Sequence, residues 1–444
     1  MSGTGIPQRG DVLLQPFTGL RWSAETRDFS SGYNKDTESA HPGYYTVRLR
    51  DGAVRVALTA TPPVALQRYT FQSPGRQQVI VDLQHVLRYL EGSLVIDSDV
   101  DVNVARGRIV GRRRVRNWAD REVAFASQFD RAIPGVRTLA AREGEKAPRY
   151  LLEFDLGYRR QLEVHDALST VDPAGALGNL AELHGRSFDQ VRAQPANDWN
   201  SLLSRVSVDA PLRQRQIFYT SLYHALLHPS DIADADGRVQ GPSDAVFAVP
   251  GGHYYSTLSL WDIARAQFPL LALLVPERVD GIVATLLRHE AQQGYLPLLS
   301  HAVASGFHCD DTDGILEAMV RTSTAPRPDA LACAQRDWLV YEEFGYLPLD
   351  KVRGESVSQT LEFGWGDDAV ARVAASAGRG DLAAKFAARA QGYHKLLDTD
   401  TLTMRGRDSA GHWRTPFDPR VANSPLKNPG AYTEAIIICL ATCT

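Results

Sequence analysis

The chain reads as two architectures in series: an all-β sandwich, followed by helices that pair into the hairpins of an α/α toroid. Three observations predict this. Up to residue 165, apolar residues alternate with polar ones in short runs of period two. Those runs are bounded by Gly, Pro and Asp, as short antiparallel strands are. Near Asp166 the apolar spacing becomes helical and the runs lengthen. The predicted division is a β-sandwich over residues 1–165, a helical linker over 166–206, and toroid helices over 207–444.

The elements follow in order. Residues 43–50 alternate, Asp51-Gly52 supplies a hairpin turn, and residues 53–60 alternate again. Residues 68–71, 78–83, 92–97, 107–111 and 150–155 continue the pattern. Short strands with frequent punctuation favour a sandwich over a parallel sheet. Asp172-Pro173 then supplies an N-cap and a proline at the first helical position. Helices are predicted over 213–227, 261–274, 276–292, 356–377 and 382–397. The run 261–274 is apolar on most sides, which suits a buried helix. Residues 323–328 read as a loop.

Charge and composition exclude some functions. A formal net charge of -4 over 444 residues provides no basic field, so nucleic acid is not an expected partner. The one dense basic run, Gly111-Arg-Arg-Arg-Val-Arg116, reads as a solvated strand face. No apolar stretch approaches the roughly 20 residues that span a bilayer, so no membrane partner is expected. Met1-Ser-Gly-Thr-Gly has no secretory character, which places the chain as written in the cytoplasm. Cys309, Cys333, Cys439 and Cys443 show no zinc spacing.

Several polar clusters invite a chemical reading. His289-Glu290 lacks the second histidine of a zinc helix. The stretch from Asp231 to Gly237 fails the calcium-loop register, because Ile232 stands where the first aspartate belongs. His308-Cys-Asp-Asp-Thr-Asp313 is a dense donor cluster that reads mainly as a polar loop. Trp261-Asp262 is different, since an aspartate inside an apolar helical run needs a hydrogen-bond partner. Asp262 is either a cap or internal hydrogen-bonding group, or it faces a sugar pocket beside a stacking indole. Phe363-Gly-Trp-Gly-Asp-Asp368 leaves the same choice between a solvated helix start and a sugar-binding edge.

The stretch from Tyr255-Ser-Thr-Leu-Ser-Leu-Trp-Asp262 to Gly294-Tyr-Leu-Pro297 resembles glycoside hydrolase family 92, the calcium-dependent, inverting exo-α-mannosidases. Ser39-Ala-His-Pro-Gly-Tyr-Tyr-Thr-Val47, Ile217-Phe-Tyr-Thr-Ser-Leu-Tyr-His224 and Glu355-Ser-Val-Ser-Gln-Thr-Leu-Glu362 are similar to further segments of that family. The resemblance covers nearly the whole chain. It implies a β-sandwich, a helical linker and an (α/α)6 barrel; the count of six comes from the family. It implies α-mannoside glycans, of the α-1,2 type, as substrates. It assigns the general acid to Glu434 in Ala431-Tyr-Thr-Glu434, and sugar contact to Trp261, Asp262, Trp365 and Asp367. Gly366 stands where the family's aspartate pair has its first carboxylate.

Departures from the family shape the remaining expectations. After Glu434 the chain lacks the family's Glu-Gly-Asn, and the segments that carry the base and the calcium ligands have no counterpart. The expectation is therefore a barrel that is partial, a chain truncated at both ends, no retained metal ligand, no bound Ca2+ and no activity. The alternatives are a non-catalytic carbohydrate-binding remnant or another (α/α)6 glycosidase or phosphorylase. Family members are typically secreted or periplasmic.

Overall fold

The computed structural model describes residues 10–22, 29–87, 94–116, 120–242, 244–256, 266–296, 311–325, 337–352 and 356–418. It divides into two compact units, Met1–Leu258 and Ser259–Thr444.

The first unit opens with twelve strands in two antiparallel sheets. The smaller sheet has the order β1 (Leu13–Thr18), β6 (Arg76–Asp82), β11 (Arg149–Asp155), β10 (Gly135–Thr138). The larger runs β2 (Ser39–His41), β3 (Tyr44–Arg48), β4 (Arg55–Ala60), β5 (Val64–Thr70), β12 (Gln161–Ser169), β9 (Asp120–Phe129), β8 (Arg108–Arg116), β7 (Leu94–Asn103). The predicted Asp51-Gly52 turn joins β3 to β4, with Gly52 at φ +83°, a conformation that glycine adopts without strain. Inward residues of both sheets form one core, including Tyr69, Phe71, Val79, Val81, Phe125, Phe129, Leu152, Phe154 and Val164. Fully burying a side chain of this kind contributes about 1.5–3 kcal/mol.

The larger sheet is also covered on its second face. Helices α1 (Pro173–Ala181) and α2 (Phe188–Leu203) follow β12. Leu183, Phe188 and Val191 pack there on Ala57, Val64, Leu66 and Ala167. Asp172 caps α1 as its spacing predicts, accepting from Gly175 N at 2.6 Å. The expected border at residue 165 falls inside β12, because His165 to Ser169 still pair with β9. Helix α3 (Leu212–Leu226) meets α2 through Trp199 and Tyr223, whose ring centroids are 4.6 Å apart.

The basic run needs a correction. Arg112, Arg114 and Arg116 face solvent carboxylates: Arg112 pairs with Glu122, and Arg114 and Arg116 pair with Asp120. Arg113 does not belong to that solvated face. Strand alternation turns it inward, where it is 0% exposed and donates to the carbonyls of Asp11 and His85.

In the second unit the described residues form helices α4 (Gln267–Leu274), α5 (Pro276–Gln293), α6 (Thr312–Thr324), α7 (Asp337–Phe344), α8 (Ser356–Ser376) and α9 (Gly380–Ala390). Sheets first and helices after is the order the sequence predicts. Gly294 ends α5 at φ +76°, as a C-terminal glycine should. Residues 323 and 324, expected in a loop, complete the last turn of α6. Among the described residues, no helix is long and apolar enough to cross a membrane.

Candidate functional site

The Phe363–Asp368 motif lies in the middle of α8, not at its start. Two glycines inside a helix cost about 1 kcal/mol each relative to alanine. Gly364 has a packing reason: a Cβ there would stand 2.8 Å from the Ala390 carbonyl oxygen of α9. That close approach brings the end of α9 onto α8 and sets Arg389 opposite Asp367.

Asp367 is 2% exposed and makes a bidentate ion pair. Arg389 Nε donates to Oδ2 at 2.7 Å, and Nη2 donates to Oδ1 at 2.6 Å. Nη2 also donates to the Ser323 carbonyl at 3.0 Å, and Nη1 is buried without a hydrogen-bond partner. The guanidinium lies over the Phe386 ring, 4.8 Å from its centroid. Tyr341 packs edge-on against Phe363 and donates to the Arg389 carbonyl at 2.9 Å. Burial pushes the Asp367 carboxyl up from its ordinary value, and the Arg389 guanidinium opposes that shift. Burial, with the Asp367 charge beside it, also pushes the Tyr341 hydroxyl up.

The neighbouring motif residues point elsewhere. A helix turns about 100° per residue, so positions two apart lie on nearly opposite sides. Trp365 is half-buried and leaves α8 on the side away from Asp367. Asp368 faces solvent and pairs with Arg372 at 2.7 Å. The structure thus gives Asp367 to the helix packing and does not place Trp365 beside it. Arg389 is the partner that sequence reasoning missed. The signal was an arginine in the same stripe of α9 as buried Phe386 and Ala390.

Trp261, Asp262 and Glu434 lie outside the described residues. The segment leading to Trp261 is described as far as Ser256, and it carries a histidine that the sequence reading overlooked. Strand β13 (Ser230–Asp231) pairs with β14 (Tyr255–Ser256). His253 Nδ1 lies 2.5 Å from Asp231 Oδ2, while Asp231 Oδ1 accepts from the backbone of Ala233 and Tyr254. The imidazole stacks beside Tyr255, with ring centroids 6.3 Å apart. A carboxylate fixed in this way orients the ring and leaves Nε2 outward, able to exchange a hydrogen bond with a hydroxyl.

The aspartates of the 231–237 turn are all engaged by protein groups. Asp234 accepts from Ser169 Oγ at 2.6 Å and Asn179 Nδ2 at 2.9 Å, and Asp236 pairs with Arg238 at 2.7 Å. Asp311 caps α6 through Gly314 N at 2.8 Å. Among the described residues, no three His, Cys, Asp or Glu side chains converge on a point where a metal ion could sit.

Residues 1–169 match the glycosyl hydrolase family 92 N-terminal domain, and residues 175–439 match the glycosyl hydrolase family 92 catalytic domain. A family GH92 α-mannosidase of Bacteroides thetaiotaomicron, in complex with mannoimidazole, is similar with a TM-score of 0.87 and 29% identity, over 98% of this chain and 62% of that one. A further GH92 α-mannosidase structure from the same organism gives a TM-score of 0.85 and 30% identity over 95% and 61%. A GH92 inverting mannosidase of Bacteroides thetaiotaomicron VPI-5482 shares the fold, with a TM-score of 0.82 and 22% identity over 94% and 60%. This chain thus spans about three-fifths of the length of these structures. No match is found among curated proteins.

Proposed function

The chain belongs to glycoside hydrolase family 92, and from that premise we propose that it is an α-mannosidase that removes terminal α-linked mannose, of the α-1,2 type, by inversion. The observation that carries this reading is the likeness over 98% of the chain to an α-mannosidase in complex with mannoimidazole.

In this reading Glu434 protonates the departing glycosidic oxygen. In an inverting glycosidase a second carboxylate on the opposite face of the sugar activates water, the two standing about 6.5–9.5 Å apart to admit it; no residue of this sequence is assigned that role. Trp261 offers an aromatic face to the ring, and Asp262 accepts from its hydroxyls. Trp365 contributes a second aromatic edge. Asp367 has no sugar contact in this reading, because Arg389 already holds both of its carboxylate oxygens inside the helix packing. Calcium would hold vicinal hydroxyls in a family member; the described residues supply no ligand set for it, so no step here depends on it.

The test is binding, because it addresses the substrate class without presuming turnover. Titration with mannoimidazole and with its gluco-configured counterpart should show saturable binding of the manno form and much weaker binding of the other. Equal affinity for both, or no binding of either, would contradict the assignment.

A further inference from the structure

We propose that the first unit binds a monosaccharide-sized anion, such as a sugar phosphate or a uronic acid, in a cavity between its larger sheet and helix α1. This site is separate from the proposed mannoside chemistry and does not rest on it.

The cavity is about 480 Å³, within the usual range for small-molecule sites. Its floor is a cross-strand row. Arg108 of β8 stands opposite Gln128 of β9, and Gln128 stands opposite His165 of β12. Residues opposite one another on antiparallel strands share a face. The row projects away from the sandwich core, since its neighbours Ile109, Phe129 and Val164 point into that core. Leu177, Leu180 and Leu183, from α1 and the turn after it, form an apolar wall.

The polar groups on this floor are fixed but not saturated. Gln128 Nε2 donates to the carbonyls of Arg106 and Phe129, and Gln128 Oε1 accepts from Arg108 Nε at 2.7 Å. The Arg108 guanidinium is thereby held in place, while its two terminal nitrogens have no hydrogen-bond or ion-pair partner among the described residues. His165 Nε2 is buried without a hydrogen bond; its nearest carboxylate, Glu163, is 3.7 Å away and is held by Arg68 at 2.7 Å.

Charge decides the ligand class. Arg186 also lines the cavity, where it closes the end of α1 by donating to the carbonyls of Glu182 and Leu183. Neither Arg108 nor Arg186 has a carboxylate partner among the described residues, and no Asp or Glu lines the cavity. Two uncompensated guanidiniums around a walled cavity call for an anion. A planar guanidinium with free terminal N–H groups suits the paired oxygens of a carboxylate or phosphate. The leucine wall covers the apolar face of a ring.

The test is calorimetric titration of the full chain with inorganic phosphate, glucose 6-phosphate, glucuronate and glucose. The two sugar anions should bind saturably and glucose should not. Tighter binding of glucose 6-phosphate identifies a phosphate site, and tighter binding of glucuronate a carboxylate site. Arg108→Gln should weaken binding at least about tenfold. Ala181→Phe should block the cavity from the exposed end of α1 without altering its charge, and should abolish binding. Both variants must melt as the parent does. Saturable binding that survives both variants, preference for glucose, or no binding of any anion up to millimolar concentration would overturn the proposal. None of these changes touches residues 259–444, so a failure here leaves the mannoside reading as it stands.

Discussion

Asp367 of α8 and Arg389 of α9 form a buried two-point ion pair, with separations of 2.7 and 2.6 Å, where Gly364 lets the two helices approach closely. The pair ties together a helical hairpin that shares no other buried ion pair among the described residues. Burying two charges brings little net stability, but removing one partner strands the other. Arg389→Ala should therefore destabilise the protein by about 3–5 kcal/mol, measured by urea unfolding. Replacing both partners by apolar residues of similar volume should cost much less. A double variant as unstable as Arg389→Ala would show that packing, not charge, holds the hairpin.

The arginine run of β8 predicts a contrast between adjacent positions. Arg113→Ala leaves a void in the sandwich core and strips the Asp11 and His85 carbonyls of their donor, so it should cost several times more than a surface change, on the order of 3 kcal/mol. Arg114→Ala, on the solvent side, should stay within about 0.5 kcal/mol. Equal melting shifts for the two would contradict the inward placement of Arg113.

Asp234 gives the fold a pH dependence. It is 3% exposed, with Ser169 and Asn179 as its hydrogen-bond donors. Burial pushes its carboxyl up from the ordinary value, and the two donors oppose that. A carboxyl whose folded pKa lies above its unfolded one binds more protons in the fold. Its contribution to stability therefore falls as pH rises from the ordinary carboxylate range through the folded pKa. Asp234→Asn carries some fixed cost but no such slope. The advantage of the parent over Asp234→Asn should be larger near about pH 4 than near about pH 7. An advantage that grows with pH would reverse the sign of the argument.

The stereochemistry of any product tests the proposed chemistry. Mannose released from an α-mannoside should appear first as the β-anomer by proton NMR, before mutarotation. Glu434→Gln should slow release by about 10²–10⁴-fold. First appearance of the α-anomer would contradict inversion.

What the sequence disclosed follows from the range of the forces involved. The Asp172 cap and the Asp51-Gly52 turn were legible because each depends on neighbours three or fewer residues away. Strand β9 was not, because residues 123–127 are buried in succession and the alternation disappears. The helix over 356–377 was legible, but the Phe363–Asp368 motif within it left a choice between a solvated helix start and a sugar-binding edge, because adjacent carboxylates suit either. Only the approach of the Ala390 carbonyl explains why a glycine stands at position 364 of that helix. Arg389 stands 22 residues from Asp367, and no local pattern announces that pairing. The row of Arg108, Gln128 and His165 depends on strand register, which sequence alone does not set.

The most direct test of the central claim is equilibrium titration of the protein with mannoimidazole against glucoimidazole, two ligands that differ in the configuration of one hydroxyl. A site built for α-mannosides should bind mannoimidazole saturably, and at least about tenfold more tightly than glucoimidazole. Equal affinities, or a preference for the gluco form, would contradict it.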